Sequence, residues 1–110
     1  FSSMCSDLYV AFRHKPVASI VVARRAGTSA SFDVFNKYAG ISQMLTVGST
    51  YWNEFHALTK VDVPQDPEGL QTLRNLSRNM IWVMKCIQAG REQGIQPPCT
   101  ETGAMTNFVR

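Results

Sequence analysis

Residues 16–28 read PVASIVVARRAGT, and their reading decides the fold. Pro16 opens a short uncharged run in which Val17, Ala18, Ile20, Val21 and Val22 are apolar on both alternating faces. A β-branched run of this kind is a strand buried on both sides, as in a parallel sheet. It stops at Ala23-Arg24-Arg25-Ala26-Gly27-Thr28, where two guanidinium groups and a glycine replace the apolar residues.

Working outward, the next stretch, SASFDVFNKYAGIS at 29–42, reads as a helix. Thr28, Ser29 or Ser31 can cap it, Asp33 falls in its first turn, and Phe32, Phe35 and Ala39 share a face. Gly40 is its expected stop. Gln43 to Ser49 reads as a second short strand, and the aromatic, aperiodic residues from Thr50 to Leu58 read as a loop that continues to Gln65. Asp66-Pro67-Glu68 is a helix start, with Asp as the cap, Pro at the first helical position and Glu in the first turn. The helix is expected to run to about Ala89 and to stop at Gly90, with Leu70, Leu73, Leu76, Met80, Ile81, Val83, Met84 and Ile87 on its apolar face. Gly94 ends any extra turn. Upstream, Leu8, Val10 and Phe12 fit either the tail of a helix or a loop packed on one.

The order is strand, helix, strand, loop, long helix, which predicts a parallel α/β sheet. Two parallel strands need neighbours to cover their faces and edges. With residue 1 not a Met, the expectation is the C-terminal part of a doubly wound domain over residues 1–95, followed by an irregular tail over 96–110.

Composition narrows the function classes. The chain has 110 residues, 45% apolar and 17% charged, so it can bury a core. Its net charge is +3, but the basic residues are scattered and Arg24-Arg25 is their only adjacent pair, which predicts no nucleic-acid footprint. No apolar run reaches the roughly 18–20 residues of a membrane span, and no signal peptide is visible. Cys5, Cys86 and Cys99 are widely spaced with no paired histidines, so neither a metal site nor a disulfide framework is expected, and a cytoplasmic location fits best.

In open α/β sheets ligands bind beyond the carboxyl ends of the strands. Ala23, Arg24, Arg25, Ala26, Gly27 and Thr28 sit there, with backbone N–H groups leading into a helix start. Tyr51, Trp52 and Asn53 offer aromatic faces beside an amide. Both segments read equally as a solvated turn and as packing. Glu54 and His56 have no recognisable nucleophile beside them, and no catalytic side chain is expected.

The stretch KPVASIVVARRAGTSASFDVFNKYAGIS, followed by GSTYWNEFHAL and QDPEGLQTLRNLSRNMIWVMKCIQAG, resembles the C-terminal half of the flavodoxin-like NAD(P)H-dependent FMN reductases over residues 12–94. The resemblance implies a five-stranded parallel sheet in the order 2-1-3-4-5, of which Val17–Val22 and Met44–Val47 would be the last two strands, with the last two helices. It implies FMN as cofactor and NAD(P)H as co-substrate, with hydride passing to the flavin N5 and on to a small-molecule acceptor. Ala23 to Thr28 would contact the isoalloxazine edge, and Tyr51, Trp52 and Asn53 the flavin or nicotinamide side. The family's phosphate-binding loop has no counterpart in this chain. The implied partners are the N-terminal half of the same domain and identical subunits in a dimer or tetramer. The competing reading is a non-enzymatic flavodoxin-like electron carrier, or a binding and oligomerisation module.

Overall fold

The computed structural model describes residues 7–109. Helix α1, Asp7–Phe12, leads into two short strands, β1 (Pro16–Val17) and β2 (Val21–Ala23). Helix α2 spans Thr28–Ile41. Strands β3 (Leu45–Thr46) and β4 (Glu54–His56) follow, then a single 3₁₀ turn, Val63–Gln65, and the long helix α3, Pro67–Glu92. The described residues thus form a mixed α/β structure with three helices and only parallel strand pairs. The choice left open at residues 8–12 is resolved as helix.

Two corrections concern the strands. The run 17–22 is not one continuous strand, and 54–56 is not loop. The reason is a mismatch in length between two parallel segments. Val17 pairs with Thr46 and Val21 with Glu54, so a step of four on one side is matched by a step of eight on the other. The surplus leaves the ladder as an excursion over residues 48–52. Ladder bonds flank it, from Val47 N–H to the Val17 carbonyl at 2.8 Å and from Val21 N–H to the Asn53 carbonyl at 3.0 Å. Residues 18–20 face this excursion and lose strand geometry. It is a bulge extended to loop length.

Strand β4 fixes the layering. Glu54 accepts a hydrogen bond from the Thr28 hydroxyl at the start of α2. A Cβ placed on Gly69, in the first turn of α3, would lie 2.6 Å from the Phe55 ring. Adjacent residues of a strand point to opposite faces. Helices α2 and α3 therefore cover opposite faces of the strand pair. The buried apolar residues are Ala39 from α2, Val47 and Phe55 from the strand segments, and Leu76 from α3. Ile20 and Val22 remain 51% and 59% exposed while Val21 and Ala23 are half-buried, so one face of the strand expected to be buried on both is uncovered in the described residues. The radius of gyration is 17.6 Å, against about 13 Å for a closed domain of this length.

Helix α2 departs from expectation at both ends, whereas α3 matches it at its start. Helix α2 begins after Gly27, in the left-handed region at φ 89, with no side-chain cap. Thr28 does not cap it, because its hydroxyl is committed to Glu54, and Asp33 lies beyond the first turn. Gly40 is inside the helix. The stop is made by Gln43 at φ 55, whose N–H bonds the Gly40 carbonyl while Met44 N–H bonds that of Ala39. Helix α3 starts as read: Asp66 Oδ1 accepts from Gly69 N–H at 2.8 Å, with Pro67 and Glu68 following. Its far end is a correction: Gly90 lies inside the helix, which runs three residues past Ala89 and closes with Gly94 at φ 81, Gly94 N–H bonding Arg91 and Ile95 N–H bonding the Gly90 carbonyl, and Ile81 and Met84 of the expected apolar face are exposed. Beyond Ile95 there is no regular structure up to residue 109.

Candidate functional site

Parallel pairing of β2 with β4 brings Ala23 beside His56, so both segments end at the same edge. Past that edge lies a cleft of about 540 Å³, lined by Arg24, His56, Leu58, Gln65 and the carboxylates of Asp62 and Asp66. Of the expected residues 23–28, Arg24 lines the cleft and Ala23, Arg25, Ala26, Gly27 and Thr28 do not; residues 24–27 form an exposed bend, and Gly27 turns the chain into α2, where Thr28 is buried. At Gly27 an added Cβ would meet nothing within 4 Å. The glycine is thus needed for its positive φ, and not because another part of the chain presses on it.

The two acids are built differently from the two basic groups. Asp62 Oδ2 accepts from the N–H of Thr59 at 2.8 Å, the N–H of Leu58 at 3.2 Å and the Thr59 hydroxyl at 3.1 Å. The Thr59 backbone and hydroxyl bonds, with the Leu58 bond, hold its carboxyl below the usual value. Asp66 places one oxygen on Gly69 N–H and the other on His56 N–H at 3.0 Å. The Gly69 bond, then the His56 bond and the nearby imidazole, lower its carboxyl as well. Both are anchored anions. Arg24 is exposed and brings the opposite charge, and the exposed imidazole of His56 adds a hydrogen-bonding group. The cleft can therefore take a polar ligand that presents an acceptor to Arg24 and a donor to the acids.

Tyr51, Trp52 and Asn53 do not line this cleft. Tyr51 and Trp52 are 61% and 57% exposed and border a second cavity, about 410 Å³, between the excursion and α2. Trp52 stands 6.0 Å from the Phe32 ring of α2 and 6.0 Å from Tyr51. Asn53 is only 2% exposed, and its Oδ1 has no hydrogen-bond partner among the described residues. Oε1 of Glu54 is in the same condition, as is Oδ1 of Asn36 at the second cavity. Thr28 is tied to Glu54, the residue after Asn53, but Arg24 and the Tyr51–Trp52 pair border different cavities.

His56, Asp62 and Asp66 were missed as lining residues. The sequence carries only the polar-apolar-polar alternation of Glu54-Phe55-His56, which is too short to announce a strand before β2 lies beside it. No family model, curated protein or solved structure matches the chain. No helix among the described residues is long and apolar enough to cross a membrane.

Proposed function

We propose that this chain is the C-terminal half of a flavodoxin-like, FMN-binding NAD(P)H oxidoreductase. The observation that carries the reading is the turn 23–28: an exposed Arg24-Arg25 pair and a left-handed Gly27 at the carboxyl end of a parallel strand, opening directly onto a helix start with no side-chain cap. That edge is where open α/β sheets take their ligands. Open space at the Gly27 Cβ position leaves the exposed backbone of residues 24–27 approachable by a planar ring, while Thr28 is buried. Tyr51 and Trp52 supply exposed aromatic faces. Because they border a different cavity, the reading gives them to the flavin or nicotinamide side of a neighbouring subunit.

FMN, when bound, supplies hydride acceptance from NAD(P)H and onward delivery to a small acceptor. This chain's part is to hold the ring edge with the backbone of Ala23 to Thr28 and to place Arg24 and Arg25 near its polar rim. The described residues contain no phosphate cradle, so the N-terminal half of the domain has to supply it. Uncovered Ile20 and Val22, and the expanded dimensions of the chain, support such a partner. A cytoplasmic location goes with this reading.

The test is the visible spectrum of the chain purified natively with whatever polypeptide accompanies it. A flavin absorption band bleached by NADH or NADPH is expected, and Gly27→Val is expected to weaken flavin uptake more than folding. A colourless preparation that takes up no added FMN overturns the reading. A yellow preparation that neither nucleotide reduces favours an electron carrier.

A further inference from the structure

The second cavity, about 410 Å³, is a recess with built walls, and its size falls in the range of small-molecule sites. Helix α2 makes one wall with Phe32 and Asn36, one turn apart on the same face. The excursion makes the other with Thr50, Tyr51 and Trp52. Helix α3 fastens that excursion through three residues spaced at i, i+3 and i+7. The Thr72 carbonyl accepts from the Ser49 hydroxyl at 2.6 Å, Asn75 Nδ2 donates to the Thr50 hydroxyl at 3.3 Å, and Asn79 Nδ2 donates to the Gly48 carbonyl at 2.9 Å. The walls are thus set before a ligand arrives, which lowers the cost of binding one.

The chemistry of the walls narrows the ligand. Trp52 stands 6.0 Å from both Phe32 and Tyr51 and is still exposed, so it offers a face to a flat ring. Asn36 Oδ1 is buried without a partner among the described residues, and such an acceptor is unfavourable until a donor meets it. The terminal torsion of an asparagine is broad, so a small turn brings its oxygen and nitrogen to the cavity side by side. A carboxamide so placed accepts from one ligand atom and donates to the next, as asparagine does on the edge of a purine. The Thr50 hydroxyl accepts from Asn75 and keeps its own proton to give. Among the described residues no Lys, Arg, Asp or Glu lines the cavity, so nothing there pairs with a phosphate or an ammonium group.

We propose that this cavity binds an uncharged purine base, free or as its nucleoside, laid flat on Trp52 with its donor and acceptor edge on the Asn36 carboxamide. Stacking supplies affinity for any flat ring, and Asn36 selects the edge. Neutral walls select against the phosphorylated forms of the same base. The inference does not rest on the flavin reading: the turn 23–28 is untouched by it, and only the place given to Tyr51 and Trp52 changes.

The two tryptophans make the test internal, because Trp82 lines a different cavity. The full chain, labelled with nitrogen-15, is titrated with 9-methyladenine and 9-methylhypoxanthine while the two indole N–H signals are followed, assigned with Trp82→Phe. At least one base is expected to move the Trp52 signal and leave that of Trp82 in place. Methylating the donor nitrogen of that base is expected to weaken binding at least tenfold. In Asn36→Leu the base and its methylated form are expected to bind equally weakly; should that variant not fold, the parent chain's discrimination between the two decides. Four results would overturn the inference: no shift at Trp52 with either base, equal shifts at both tryptophans, equal binding of the methylated form, or tighter binding of adenosine monophosphate or FMN at Trp52. The last would return the cavity to a phosphorylated ligand, and a colourless, flavin-free preparation that still binds the base would leave this inference standing alone.

Discussion

The starts of α2 and α3 are two solutions to one problem. Both leave a turn of backbone N–H groups without helical partners. Helix α3 closes its start from its own sequence, with Asp66 as cap, Pro67 in the first turn and a carboxylate that also ties down His56 of β4. Helix α2 closes nothing. It begins on a bare glycine, its threonine is drawn away by Glu54, and no acid stands in its first turn. The difference separates structure from availability: the α3 start is a joint between helix and sheet, whereas the α2 start is an open rim at the strand ends.

The strongest way to break this contrast is Gly69→Ala. In an ordinary helix the change stabilises by about 0.5–1 kcal/mol. Here the new methyl would come within 2.6 Å of both Asp66 Oδ2 and the Phe55 ring, which is only 4% exposed. A net loss of about 1–3 kcal/mol is expected in urea unfolding. Next comes Asp66→Ala, expected to cost about 1–2 kcal/mol by the same measurement, at the upper part of the cap range because two N–H groups lose their acceptor. Glycine at 27 is a smaller matter. Gly27→Ala meets nothing within 4 Å, so only the positive φ is strained, for roughly 1 kcal/mol.

Acid sharpens the comparison from another side. Asp62 and Asp66 both have carboxyls lowered from 3.8 in the folded chain. A lowered folded value means stability that is present above the unfolded value and is lost as pH falls through the folded one. Between neutral pH and about pH 5 little change is expected; below 3.8, the α3 start and the 58–62 turn loosen first. Asp66→Asn should flatten the acid limb of a thermal-unfolding series. An acid limb identical to that of the parent chain would remove the joint from the α3 start. The smallest effect is Gln43→Gly at the other end of α2. It relieves φ 55 but gives up the Thr100 contact, and a gain of no more than about 0.5 kcal/mol is expected.

What the sequence conveys follows the same division between local and distant causes. Asp66-Pro67-Glu68 announces α3 because the N–H that Asp66 caps, that of Gly69, lies three residues on. Val17 to Val22 announces a parallel strand because the residues themselves are β-branched and apolar. Its interruption is invisible there, since the break is imposed by surplus length in residues 48–52, far along the chain. Strand β4 hides for a like reason: three residues among aromatics become a strand only when β2 lies alongside. At the cleft, Arg24 to Thr28 could be placed at a strand end from order alone. His56, Asp62 and Asp66 could not, because their convergence depends on that unannounced pairing.

The excursion also sets an order of opening. In a continuous ladder, amide protons are lost first at the frayed ends and last at the middle. Here the ladder bonds of Val17 and Val21 flank a stretch with no matching partner strand. Deuterium should enter at residues 18–20 before it enters at 17 or 21–23. The strand pair would then part like a seam whose centre stitch was never sewn, its two short stitched lengths opening as separate units.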